Sequence, residues 1–221
     1  MPMINLHDRH TDAARKRQLY ELYLARACGV EFVQPAKVSH THNPIAPHNP
    51  VKFSDDLSQR IIHCKLCGRS KRGSPELGYI QAKSPVIFVV EYAMSENGRL
   101  VDSKASQMLA NIAHKVFGVA HFSVLSLLKC ASHPASPQDI ELCAPYLTSQ
   151  LEAMPPACVV LFGEVVLESL LALDPSHKGA LLEAFGKKTI ATHSIAALLR
   201  NPSLKKDSLE HFRLLQSFIP R

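Results

Sequence analysis

Pro85-Val-Ile-Phe-Val-Val-Glu-Tyr92 is the stretch on which the fold turns. It is almost continuously apolar and β-branched, with Glu91 its first charged group. A strand with one face in water alternates apolar and polar residues, whereas an unbroken run suits a strand covered on both faces, as in a parallel sheet. The same texture recurs at 122–128 and 158–162, and more weakly at 188–192. Between these runs the apolar spacing predicts helices over 103–116, 136–154, 164–173 and finally 205–218. Ser136 followed by Pro137 is a sound start for one of them, a hydroxyl cap and then a proline in the first turn. Strands alternating with helices imply an α/β fold, three-layer α/β/α with a mainly parallel central sheet. Function in such sheets gathers at the carboxyl ends of the strands. Here those ends are Glu91-Tyr92-Ala93-Met94, Ser126 to Cys130, Phe162-Gly163-Glu164 and Thr192-His193-Ser194.

Outward from this core, 221 residues at 46% hydrophobic content suffice for one substantial domain and an appendage. Residues 1–50 read as the appendage. Leu19, Leu22, Tyr23 and Arg26 follow helical spacing within 11–27, and Pro35, Pro44, Pro47 and Pro50 among three histidines mark a linker over 34–50. A short helical pattern at 53–62 then opens the α/β domain of 51–221. With no apolar stretch of signal-peptide or membrane-span length, the expectation is a cytoplasmic monomer with no membrane partner. A formal charge of +6 favours a polyanionic partner.

Cys64-Lys-Leu-Cys67 and the later Cys130 and Cys143 form two thiol pairs. In a reducing compartment such pairs point to metal rather than disulfide chemistry. Soft thiolates favour an iron–sulfur cluster or zinc. The alternative is that they are small core residues, a reading that fits Cys28 and Cys158 better. His63, Lys65, Arg69, Lys71 and Arg72 crowd around the first pair, as a polyanion contact or as a solvated basic loop.

Several pieces stand in a particular order: Cys-x-x-Cys, a strand ending in Glu91, Gly98-Arg99 before a helix carrying Gln107-Met108-Leu109, Leu128-Lys129-Cys130, Cys143-x-Pro145-Tyr146-Leu147, Val159 to Glu164, and Ala196 to Arg200. Over roughly 57–215 this order resembles the iron–sulfur uracil-DNA glycosylases, often called family 4. The resemblance implies a DNA partner, a role in DNA repair, and a 4Fe-4S cluster held by Cys64, Cys67, Cys130 and Cys143, with zinc as the rival. It implies a structural role for that cluster. Glycosylases flip a base into a pocket that stacks on its face and reads its edge.

The chain departs from the family's pattern in that pocket. Gly-Glu-Ala-Pro-Gly becomes Val90-Glu91-Tyr92-Ala93-Met94, and the stacking Pro-Phe becomes Leu100-Val101. The edge-reading asparagine falls on Ser126, and the final His-Pro on Ser194-Ile195, with His193 one place early. Carried over residue by residue, Glu91 and His193 are the catalytic candidates, and Tyr92, Val101, Ser126 and Ser194 the base-pocket candidates. Lys104, Lys129 and Arg200, with Lys205 and Lys206, are candidate phosphate contacts. The expectation is a DNA-binding protein with lost or altered base excision. The alternative is an active glycosylase that removes uracil or another damaged base through a remodelled pocket.

Overall fold

The computed structural model describes residues 55–132, 134–155 and 157–219. The expected helix at 11–27 and linker at 34–50 lie outside them. In chain order come α1 (Asp55–Ile62), β1 (Val86–Tyr92), a small hairpin of β2 (Ser95–Glu96) and β3 (Arg99–Leu100), α2 (Lys104–Asn111), β4 (Ser123–Leu128) and α3 (Pro137–Ala153). They are followed by β5 (Cys158–Phe162), α4 (Glu164–Leu171), β6 (Leu181–Ala184), β7 (Lys187–Thr192), α5 (Ile195–Arg200) and α6 (Leu204–Gln216).

Five of the strands form one sheet in the order β4-β1-β5-β7-β6. Its β4, β1, β5 and β7 run parallel, and β6 alone pairs antiparallel to β7. The apolar run of β1 is central, and Val86 to Val90 are all buried. Alternation along the strand splits them between two faces. Val86, Phe88 and Val90 join Leu109, Ile112, Phe117, Phe212 and Leu215 in one apolar cluster beneath α2 and α6. On the opposite face α3 packs against β4, and α4 against β1, β5 and β7. The result is the three-layer arrangement that the texture of the strands implies.

Local chemistry sets the ends of the helices. At α3 the Ser136 hydroxyl accepts from Asp139 N–H at 3.2 Å, while the Asp139 carboxylate accepts from Ser136 N–H at 2.9 Å, a reciprocal capping box. Helix α2 is capped by Ser103 and passes into a wider π-helical segment, Ile112–Phe117, closed by Gly118 at φ 69°. The expected continuous helix over 103–116 is thus two kinds of helix. The β6–β7 hairpin turns through Phe185 and Gly186, both at positive φ, as a two-residue primed turn requires.

The parallel register aligns the strand ends where a site can form. Val90 lies opposite Ser126, Tyr92 opposite Leu128, and Phe162 opposite Thr192. Among the described residues no helix is long and apolar enough to cross a membrane.

Candidate metal centre and strand-end site

The first turns of α3 organise the four thiols. Asp139, Cys143 and Tyr146 are spaced by four and three residues and share one helical face. The Cys67 thiol faces Asp139, whose pKa is lowered chiefly by the Ser136 N–H with Cys67 acting in the same direction, and Cys64 acts on the Tyr146 hydroxyl, whose pKa is raised chiefly by burial. Cys143 lies between these two anchors and accepts the backbone N–H of Lys129 at 3.3 Å, which brings the exit of β4, and with it Cys130, to the same place. Burial pushes the Cys130 thiol up to about 11, and the charges of Cys143, Cys67 and Cys64 act in the same direction. Burial also raises the Cys143 thiol, against the Lys129 N–H and ammonium. The four sulfurs therefore lie within electrostatic reach of one another. Among the described residues, no three His, Cys, Asp or Glu side chains stand close enough to hold a single metal ion. Cys158 is in the apolar core, where burial raises its thiol to about 11.

Two buried cations flank this cluster of thiols. Arg69, 2% exposed, donates to the Cys130 carbonyl at 2.7 Å and the Pro134 carbonyl at 2.9 Å, and its guanidinium lies 5.4 Å from the centre of the Tyr92 ring. It was legible only as one member of a basic crowd, but in the structure it joins the Cys64–Cys67 loop, the exit of β4 and the end of β1. Lys129 was an expected phosphate contact, but it is 1% exposed and has no free ammonium to offer a phosphate. Its Nζ donates to the Ser126 carbonyl at 2.8 Å and to Gln150 Oε1, and burial pulls its pKa down to about 7. Gln150 in turn donates to the Leu77 carbonyl at 2.8 Å. Gln150→Leu removes an acceptor from a buried ammonium and a donor from a buried carbonyl. It is expected to cost about 2–3 kcal/mol in denaturant unfolding, and Lys129→Met in the same chain is expected to restore much of that.

At the end of β1, Glu91 and Tyr92 are half-buried. Burial raises the pKa of the Tyr92 hydroxyl, followed by the charge of Glu91 and a hydrogen bond to it, against the opposing charge of Arg69. Ser126 lies beside Val90 with its hydroxyl buried and without a hydrogen-bond partner. Val101 is exposed beyond the β2–β3 hairpin. Ser194 caps α5, accepting from Ala197 N–H at 3.2 Å, and packs against the Gly163 turn, where an added Cβ would meet Ser194 Cβ at 3.2 Å.

His193 belongs to a different grouping. Its ring stacks on His211 at 6.1 Å, and Nε2 lies 3.9 Å from Asp207 of α6. Burial lowers its pKa, and Lys178 adds to that, against Asp207 and Glu164. His211 is held by Thr192 Oγ1 at 3.0 Å, and burial and His193 lower its pKa. The structure thus brings Glu91 together with Tyr92 and Arg69, and His193 together with α6. Lys104, Arg200, Lys205 and Lys206 are all exposed, at the start of α2, the end of α5 and the start of α6.

Comparison with known proteins bears on this arrangement directly. The family model of the uracil DNA glycosylase superfamily matches residues 77–215, more than half of the chain. The chain belongs to the uracil DNA glycosylase superfamily. The matched span runs from just before β1 to α6, and so takes in the whole sheet with Cys130 and Cys143. Similar curated proteins of the superfamily include the type-4 uracil-DNA glycosylase of Archaeoglobus fulgidus, 27% identical over 182 residues, covering 72% of this chain and 89% of the relative. The type-4 enzyme of Saccharolobus solfataricus is 27% identical over 178 residues, covering 72% and 81%, and that of Sulfurisphaera tokodaii is 23% identical over 185 residues, covering 73% and 83%. Membership in the superfamily relates the chain to DNA repair.

Proposed function

We propose that the chain is a DNA-binding iron–sulfur member of the superfamily in which excision of uracil is lost or altered. The observation that carries this reading is the buried, unpartnered hydroxyl of Ser126. Reading a flipped uracil takes both a donor and an acceptor on its edge, and selective sites discriminate by pairing each such group. One short hydroxyl at that register position supplies less than a carboxamide. Val101, with no ring to stack, and His193, engaged by Asp207 and His211, support the same reading.

DNA binding is supported by the exposed cations Lys104, Arg200, Lys205 and Lys206, and by a cleft of about 1010 Å³ whose walls include His63, Lys65 and Lys71. Phosphate contacts release counterions, so affinity for an oligonucleotide is expected to fall steeply as salt rises.

The four-cysteine donor set fits a cluster. A single zinc needs its sulfurs at bonds of about 2.3 Å, hence closely packed around one ion, whereas a four-iron cube takes each thiolate on a different corner. Soft thiolates suit either group, and the iron and zinc content of anaerobically purified protein separates the two. When bound, the cluster would supply a covalent tie between the Cys64–Cys67 loop, the exit of β4 and α3.

Half-buried Glu91 at the end of β1, whose charge acts on the Tyr92 hydroxyl, favours a second reading, in which a remodelled pocket still positions water for a damaged base. Incubation with oligonucleotides carrying uracil, hypoxanthine or xanthine, followed by alkali, separates the two. No cleavage is expected at uracil. Cleavage that Glu91→Ala abolishes would establish the enzyme reading instead, and undetectable binding at low salt would overturn the DNA-binding claim.

A further inference from the structure

A groove of about 500 Å³ runs between α2 with its π-helical extension on one side and α5 and α6 on the other. Met108, Ile112, Val116, Leu199 and Phe212 form its apolar floor, and Lys104, Lys115 and Lys205 stand along it. The remaining lining side chains are Gln107, Asn111, Leu198, Ser208 and Leu209, so no described lining residue is acidic. The carboxylates of α6 serve elsewhere. Asp207 lies beside His193, and Glu210 acts on His211. Leu199 remains 39% exposed in the groove.

We propose that this groove docks an acidic amphipathic helix of a partner protein. An apolar trough between two helices is the geometry that receives a third helix through residues spaced i, i+3, i+4 and i+7. Lys104 opens α2 and Lys115 lies in its π-helical extension, eleven residues on, so an incoming helix meets them with carboxylates that are turns apart rather than adjacent. The floor argues against a nucleic-acid occupant, because phosphates gain nothing from methionine, isoleucine, valine and leucine. The sign of the rim argues against the chain's own segments. The amino-terminal helical pattern over 11–27 carries Arg15, Lys16, Arg17 and Arg26 against Asp12 and Glu21, and so would bring net like charge, as would a second copy of a chain of net charge +6. Lys104 is shared with the candidate DNA surface, so the two partners would meet at that end of the groove.

The test is fluorescence anisotropy of the full chain with a labelled synthetic peptide that carries leucines on one helical stripe and glutamates elsewhere, beside a scrambled peptide of the same composition. Saturable binding is expected for the striped peptide, at least tenfold tighter than for the scrambled one. Leu199→Glu and Lys115→Glu, both at the surface, are each expected to weaken it at least tenfold while leaving the melting temperature unchanged. Equal binding of the two peptides would overturn the proposal in favour of bulk charge. Binding that both variants leave intact would place the peptide elsewhere and overturn it. Displacement of the peptide by a single-stranded oligonucleotide whose own affinity also falls in Leu199→Glu would overturn it in favour of a nucleic-acid groove.

Discussion

Cys130→Ser is expected to abolish retention of iron and to free the Cys64–Cys67 segment from the sheet. Cys130 is 5% exposed and its thiol is raised to about 11, so a bound metal must displace a proton that burial holds firmly. A thiolate bound to iron supplies that free energy, whereas the harder serine oxygen does not. Structural metal sites contribute on the order of 10 kcal/mol to the segment they organise. Without the metal, α1 and the loop after it are held by fewer ties: Ile61 as a buried apolar anchor, Arg69 on the Cys130 and Pro134 carbonyls, and Glu76 N–H on the Lys129 carbonyl at 2.8 Å. Limited proteolysis should therefore cut between Ile62 and Gly73 in the variant while the β1–β7 sheet survives. Iron and acid-labile sulfide measured on anaerobically purified protein should drop to background. The control is Cys158→Ser, which alters a thiol in the apolar core and should leave iron content unchanged. Retention of iron by Cys130→Ser, or one zinc per chain in the parent protein, would show that the cage has been misassigned.

The parts of this molecule that follow from apolar periodicity were legible in the sequence. The β1 run, the shorter runs at β4 and β5 and the Ser136-Pro137 start of α3 all read correctly, because each is fixed by neighbours within a few residues. Strand β6 was not legible. Leu181–Ala184 is only four residues long, and its turn uses Phe185 at φ 55° rather than the asparagine or aspartate that usually signals such a hairpin. Nor was the π-helical step after Asn111, since its apolar spacing is compatible with an ordinary helix. Burial of charge was the larger omission. Arg69 and Lys129 read as surface cations because their partners are remote in sequence. Arg69 bonds to carbonyls 61 and 65 positions away, and Lys129 to an amide 21 positions away. The offset of His193 was visible, but its partners His211 and Asp207 come from a helix that no spacing rule would have placed beside it.

Arg69→Ala is expected to be the most destabilising single change around the thiols that leaves every cysteine in place. The guanidinium satisfies two carbonyls on the loop after β4 and lies over Tyr92, and the side chain is almost wholly enclosed. Its loss leaves the Cys130 and Pro134 carbonyls without their donor and opens a void the size of the side chain. Together these should cost about 3–5 kcal/mol in denaturant unfolding. Arg69→Lys keeps the charge but should recover less than half of that loss, because one ammonium cannot reach both carbonyls and stack on the ring as a planar fork does. The same pair of variants separates a strut from mere bulk. If Arg69 holds the Cys130 loop in register for the metal, both variants should lose iron more quickly to a chelator than the parent protein, Ala faster than Lys. Full stability with unchanged iron retention in Arg69→Ala would mean that α3, through Asp139, Cys143 and Tyr146, is sufficient to assemble the four thiols.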